Sequence, residues 1–366
     1  MLLGMRKNLI AALLVFAWAS TLCCQTRDTE EQIKAKCEKY LQTPLPAEAS
    51  AIATPKTWPE CNSYKLYSGI GTKVDYATAR KCAWFERLAI KADIEPRYTV
   101  ASVVGGSAML AVLYANGEGV EQNIPLAGRF ACEAGIGHGL KDIEALPPSP
   151  VQAGKEFKYC DEAYTTFEIG FCAGWDSEIQ DQSRLSSIHR LSAMWPVAQR
   201  DALLALVKTN DIYSSAHANR EIDLSGSGRA IWQFNAEWLL REQFMTALKA
   251  FEQGQLPHGS GDDSAHADTD LNRAYHKAIN MAEAGKSGYG AIQPEGIRNT
   301  ERVWLKYRDA WIAFAKLHYP TISVYSWLTL LTNDRIAVLK DTFCQMGSTD
   351  EYCNKEDDAH TPLPLP

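Results

Sequence analysis

The chain has 366 residues, 46% of them hydrophobic and 22% charged, and its formal net charge is −7 at pH 7. This length exceeds one typical helical domain and predicts two or three structural units. The acidic balance argues against nucleic acid as a partner, because the phosphates would be repelled.

The first residues have the pattern of a secretory signal peptide. Arg6 and Lys7 precede a short apolar run over residues 9–18, and small residues follow it as a signal peptidase requires. We expect a signal peptide over residues 1–19, or up to residue 24, and export to the periplasm or the medium. No later segment is long and apolar enough to span a membrane.

The chain contains ten cysteines. Cys23 and Cys24 leave lipid attachment open, although the residues before them fit the lipoprotein cleavage pattern poorly. The eight later cysteines predict disulfides, because an exported chain meets an oxidising compartment. None of the eight lies in a CxxC pair, so structural zinc loses support. Local spacing favours Cys344 with Cys353 and Cys160 with Cys172. It also favours Cys61 with Cys82 if these two lie on antiparallel helices about a common turn. The sequence alone leaves the pairing open.

Residues 20–55 comprise a polar segment and a linker rich in proline, alanine and threonine. Residues 56–145 then contain two related stretches, each with a short apolar helix ending on a tyrosine, a glycine turn and a second helix with small residues. The tyrosines are Tyr67 and Tyr114, and the turn YANGEGV begins at the second. This turn resembles the Sel-like subgroup of α-solenoid repeats, which implies a short pair of helical repeats.

Beyond the proline-rich boundary at residues 145–150, apolar positions recur at helical spacing. We expect two helical units, 155–256 and 262–345, followed by a tail over 346–366. KTNDIY at 208–213 aligns with KYRDAW at 306–311, and Arg241 and Arg335 follow at similar distances. This echo indicates a divergent duplication. The predicted fold class is all-α.

The stretch ERVWLKYRDAWIAF, residues 301–314, carries aromatic residues at spacings of 3, 4 and 3. On a helix these residues form one stripe that packs against neighbouring helices. Arg308 and Asp309 then fall in the middle of a core helix, where an unpaired buried charge costs about 3–5 kcal/mol. We therefore predict an ion-pair network of Arg308, Asp309, Arg335, Asp334 and Asp270.

Three segments together resemble the LprI-type lysozyme-inhibitor family: ADTDLNRAYHKAI (267–279), ERVWLKYRDAWIAF and LTNDRIAVLKD (331–341). The family pattern combines a D-x-x-L-N-x-x-Y helix, a W-x-x-Y-R-D helix and a closing helix with an arginine. The matching positions are Asp268, Asp270, Leu271, Asn272, Tyr275, Trp304, Tyr307, Arg308, Asp309 and Arg335. A weaker version spans residues 160–248 and carries the cysteine pair that the stronger copy lacks.

A Ser/Gly loop interrupts the helical region of the weaker copy. We predict an exposed, mobile hairpin whose partner-binding residues are Ser225, Gly226, Ser227, Gly228 and Arg229. Such a loop suits a cleft lined with catalytic carboxylates. The alternative is a plain linker between two helices.

No GxSxG or HExxH motif occurs, and the histidines and aspartates over residues 258–270 lack a recognised metal-ligand spacing. We expect no enzyme, no metal and no cofactor. The resemblance implies an exported binding protein that inhibits lysozyme by occluding its active-site cleft. The alternative is a periplasmic scaffold whose repeats recruit envelope proteins. The oligomeric state stays open.

Overall fold

The computed structural model describes residues 28–57, 59–94, 103–285, 288–349 and 351–354. The predicted signal peptide and residues 355–366 of the predicted tail lie outside these ranges. The described residues form twelve α-helices and no strand, which confirms the all-α fold class. No helix within these ranges combines the length and the apolar character needed to cross a membrane. The chain divides into two compact units, and the boundary falls between Ala163 and Tyr164.

The first unit contains six helices and three short 3-10 turns, at residues 47–51, 137–139 and 159–162. The helices are α1 (Glu30–Tyr40), α2 (Ser63–Ser68), α3 (Tyr76–Lys91), α4 (Gly106–Asn116), α5 (Ile124–Glu133) and α6 (Leu140–Glu144).

Helices α2 and α3 form one hairpin, and α4 and α5 form a second with the same local design. The first helix of each hairpin ends at a glycine in the left-handed conformation, Gly69 with φ 72° and Gly117 with φ 73°. The second helix begins where a side chain, Asp75 or Asn123, accepts a hydrogen bond from the backbone. The two related stretches of sequence therefore fold alike.

Disulfide bonds tie the ends of several elements. Cys37 of α1 is bonded to Cys132 of α5, across 95 residues of sequence, so local spacing could not identify this pair. Cys61 is bonded to Cys82, and Cys344 to Cys353, which are pairings that the spacing favours. Cys160 and Cys172 are disulfide-bonded as well.

The second unit contains the six long helices α7 (Thr166–Leu191), α8 (Val197–Arg220), α9 (Arg229–Glu252), α10 (Gly261–Ala284), α11 (Pro294–His318) and α12 (Val324–Gln345). Their starts are encoded locally. Thr165 and Ser260 form capping boxes at α7 and α10, and Pro294 occupies the first turn of α11. The helices of both predicted units, 155–256 and 262–345, share this one compact unit.

Helices α8 and α11 run antiparallel and contact each other along their length. The Gln199 side chain near the start of α8 lies 2.9 Å from His318 at the end of α11. At the other end, the Thr300 hydroxyl donates to the Ala216 carbonyl at 3.3 Å. Contacts at both ends thus hold the two helices together. The duplication stays a prediction.

The aromatic stripe of α11 lies in the core, as its spacing predicts. Trp304, Tyr307, Trp311 and Phe314 are each at most 9% exposed. Trp311 stacks on Trp327 of α12 with ring centroids 5.8 Å apart. It also lies close to two phenylalanines of α9, so the stripe joins three helices.

The predicted ion-pair network is wrong in its partners. Arg308 pairs at 3.1 Å with its own neighbour Asp309, whose side chain is 69% exposed. Asp270 pairs with Arg273 on the surface, and Asp334 is exposed. The reason is angular: residues advance by about 100° around a helix, so the two residues after Tyr307 turn away from the core and toward water.

Of the predicted network, Arg335 alone lies in a buried ion pair. Its guanidinium donates two hydrogen bonds to the Glu221 carboxylate, at 2.6 and 2.9 Å, and both side chains are fully buried. Glu301 accepts a third bond at 2.9 Å, and the His217 ring lies 3.0 Å from Glu221. We call Tyr213, His217, Glu221, Glu301 and Arg335 the buried cluster. It joins the end of α8 to α11 and α12.

Arg241, the counterpart of Arg335 in the predicted duplication, also lies in an ion-pair cluster. It contacts Asp181 of α7 at 2.7 Å, and Arg184 contacts Asp211 of α8 at 2.8 Å. The two acidic side chains are about one-third exposed, so this cluster is more open to water than the buried cluster.

Arg335→Ala is expected to lower the free energy of unfolding by about 3–5 kcal/mol, because it leaves Glu221 charged and buried without its partner. Arg308→Ala should lower it by less than about 1 kcal/mol, since its ion pair is exposed to solvent. Urea denaturation followed by circular dichroism, with disulfides intact, measures both values. Equal losses in the two variants would contradict the assignment.

The buried cluster also predicts how stability depends on pH. Burial favours a higher pKa for Glu221, but the Arg335 charge and hydrogen bonds from Arg335 and His217 outweigh it and lower the pKa to about 2. A glutamate in the unfolded chain has a pKa of about 4.3. The stabilisation is therefore complete above about pH 5 and is lost as the pH falls toward 2.

Glu221→Gln should therefore be less stable at neutral pH and lose less stability than the parent protein between pH 5 and pH 3. Urea denaturation at each pH gives the change of the unfolding free energy with pH. Asp270→Asn, which removes a carboxylate on the surface, is the matched control. Asp270→Asn should lose as much stability between pH 5 and pH 3 as the parent protein does. If Glu221→Gln also lost that much, the low pKa of Glu221 would be refuted.

Candidate partner-binding surface

The loop over residues 221–228 joins α8 to α9 and starts from the buried cluster, because its first residue is Glu221. The Leu224 amide donates to the Gly290 carbonyl at 2.7 Å. The Asp223 amide donates to the side-chain oxygen of Gln345 at 3.0 Å. The structure thus fixes this loop against residues 288–292 and the end of α12, instead of leaving it as a free hairpin.

The two glycines of the loop pack closely against a tryptophan. Gly226 and Gly228 lie on the ring of Trp232, one turn into α9, and a Cβ added at Gly226 would come within 2.6 Å of that ring. Only glycine fits such a close approach without displacing the indole. The exposed serines Ser225 and Ser227 flank the packed glycines.

Arg229 follows the loop and lies over the exposed ring of Tyr289. Its guanidinium is 5.0 Å from the ring centroid of Tyr289, a cation–π distance, and its Nε donates to the Gly226 carbonyl at 3.3 Å. Tyr289 is 82% exposed and Trp232 is 45% exposed. We call Ser225, Ser227, Arg229, Trp232 and Tyr289 the Arg229 surface.

Sequence reasoning identified the loop but missed both aromatic residues. Trp232 had a local signal, since it follows Arg229 by three residues and so lies one turn along the same helix. Tyr289 had none, because it is 60 positions away in sequence and comes close only through the Leu224–Gly290 hydrogen bond.

The composition of the Arg229 surface suits protein recognition. Trp, Tyr and Arg are the residue types that dominate binding energy at protein interfaces. Within the described ranges, Arg229 forms no salt bridge, so its charge is available to a carboxylate of a partner. Its five N–H donors form a rigid fork that matches the two oxygens of such a group.

Comparison with known proteins places a family within the second unit. Residues 252–339 match the model of the family described as Lysozyme inhibitor LprI. They begin at the last residue of α9 and contain α10, α11 and most of α12, which confirms the resemblance for this segment. No curated protein and no solved structure matches the chain.

The matched segment bears directly on the two features described above. It includes Glu301 and Arg335 of the buried cluster and Tyr289 of the Arg229 surface, whereas the Ser/Gly loop precedes it. It does not reach residues 56–145 or 160–248, so the Sel-like repeats and the weaker LprI-like copy stay predictions.

Proposed function

We propose that this protein is an exported, non-enzymatic inhibitor of lysozyme and that it occludes the active-site cleft with the Arg229 surface. The observation that carries the proposal is the match of residues 252–339 to the LprI family. The Arg229 surface is attached to this segment by the Leu224–Gly290 hydrogen bond and by the contact of Arg229 with Tyr289.

The chemistry of the target supports the choice of Arg229. Glycoside hydrolases cleave their substrates between two carboxyl groups at the base of a cleft. An arginine presented on a protruding edge can pair with these carboxylates through charge-assisted hydrogen bonds. Trp232 and Tyr289 add flat, partly apolar rings of the kind that fill a sugar-binding cleft.

The fixed loop supports tight binding. A loop that becomes ordered on association loses conformational freedom, which weakens the complex. Here the backbone bonds of Asp223 and Leu224 and the stacking of two glycines on Trp232 order the loop before any partner arrives. Little further ordering is then required.

The disulfides support export. Eight cysteines in the described ranges are disulfide-bonded, and such bonds persist in oxidising compartments outside the cytosol. An inhibitor there would meet lysozyme directly.

The test is a lysis assay. Lysozymes of the chicken type, goose type and invertebrate type are each mixed with increasing amounts of the purified chain lacking residues 1–19, and the clearing of a cell-wall suspension is followed. Activity of at least one class should fall in proportion to added protein and approach zero near equimolar amounts. Full activity of all three at an excess of about tenfold, at micromolar concentration, would refute the proposal.

Variants locate the inhibitory surface. Arg229→Ala and Trp232→Ala should each raise the inhibition constant by about 30-fold, which corresponds to a hot-spot loss of about 2 kcal/mol. Arg273→Ala removes an exposed arginine of α10 and should leave inhibition unchanged. If the Arg229 and Trp232 variants inhibit like the parent protein, the inhibitory surface lies elsewhere.

A further inference from the structure

A segment of the first unit lies on the helical hairpins without entering their core. Residues 43–57, which we call the strap, connect α1 to α2, and none of them is buried. Disulfides flank the strap on both sides, since Cys37 is bonded to Cys132 and Cys61 to Cys82. Arg129 also donates to the carbonyl of Thr43, the first residue of the strap. The strap is therefore held at both ends, and the part between them lies on the surface.

One side chain of the strap makes a concentrated set of polar contacts. A single carboxylate oxygen of Glu48 accepts hydrogen bonds from the Tyr114 hydroxyl at 2.7 Å, the Trp84 indole N–H at 3.2 Å and the Arg80 guanidinium at 3.3 Å. The donors come from α3 and α4, one helix of each hairpin. A carboxylate is thus recognised by residues from both hairpins.

The donors are parts of a prepared site. Trp84 and Tyr114 are 1% and 3% exposed, and the ring of Phe130 packs against both, with centroid distances of 5.3 and 5.6 Å. Their polar atoms are therefore held in place by the core whether or not Glu48 is bound. Burial and the bond to Glu48 raise the pKa of Tyr114, so its hydroxyl stays protonated and donates.

The guanidinium of Arg80 supplies the positive charge of the site. Its side chain is 19% exposed, and Nη1 bonds to Glu48 at 3.3 Å. A hydrogen bond between charged groups is stronger than one between neutral groups, so the site favours an ionised carboxylate.

We propose that Arg80, Trp84 and Tyr114 form a binding site for a glutamate side chain in a short 3-10 turn of a partner protein, and that Glu48 occupies this site as an internal ligand. The strap shows which segment fits: in PLPAEASA, residues 44–51, small alanines flank the glutamate and prolines precede it. The site lies in the first unit and does not depend on the inhibitor proposal.

Exchange of the internal for an external glutamate is energetically accessible. No residue of the strap is fully buried, although Pro46, Ala49 and Ile52 are half-buried. The Glu48 side chain is 36% exposed, so its ion pair with Arg80 contributes at most about 1 kcal/mol. Because the strap is tethered, Glu48 nevertheless competes for the site as if it were present at a concentration on the order of millimolar. The strap therefore weakens the binding of any external segment until a partner competes successfully.

The experiment uses the full exported chain and a fluorescein-labelled peptide of residues 43–55, TPLPAEASAIATP. Fluorescence anisotropy compares the parent protein with Glu48→Ala. The variant should bind the peptide about fivefold more tightly, because the competing internal ligand is gone. The matched peptide with Gln in place of Glu should bind at least about tenfold more weakly, since it lacks the charge that Arg80 recognises.

Two further variants keep the test decisive. Tyr114→Phe, added to Glu48→Ala, keeps the ring and removes the hydroxyl, and should weaken peptide binding by about fivefold or more. If Glu48→Ala fails to fold, Glu48→Gln retains an acceptor for Trp84 and Tyr114 and should still bind more tightly than the parent protein. The proposal is overturned if a folded variant binds no peptide at millimolar concentration, binds both peptides equally, or matches the parent protein.

Discussion

The second unit depends on one buried ion pair, Arg335 with Glu221. Both side chains are removed from water, so each requires the other, and the pair fixes how the end of α8 meets α12. Glu301 extends the constraint to α11, whose aromatic stripe fills the space between the helices. Charge pairing thus selects one arrangement from the many that apolar packing of long helices would allow.

The same pair reaches the candidate functional surface, because Glu221 is the first residue of the Ser/Gly loop. With its base held in the core and its backbone bonded to Gly290, the loop has one conformation in which Arg229 lies over Tyr289. The ion pair positions the loop, and the loop in turn positions the exposed side chains of Arg229, Trp232 and Tyr289. In the first unit a different constraint acts: disulfides flank the strap on both sides, and Glu48 and the Thr43 carbonyl bond it to the helices.

Periodic features could be predicted from the sequence and long-range partners could not. The 3-4-3 aromatic spacing in α11 predicts the core face, because helical geometry links spacing to direction. Arg308 and Arg335 looked equivalent as cations in apolar helices, yet one faces water and the other Glu221, which is 114 positions away in sequence. The Ser/Gly loop could be predicted because serine and glycine favour turns. The contacts of Tyr289 and Glu48 are between residues far apart in sequence, so only the structure shows them.

The central claim is that a loop held rigid by the core presents Arg229 to lysozyme. Amide hydrogen exchange of the chain, free and bound to lysozyme, tests it most directly. The Leu224 amide should already be protected in the free protein, and binding should slow exchange by about tenfold or more at residues 225–232 and 288–290. Protection confined to other parts of the chain, or a Leu224 amide that exchanges like that of an unfolded peptide, would contradict the account.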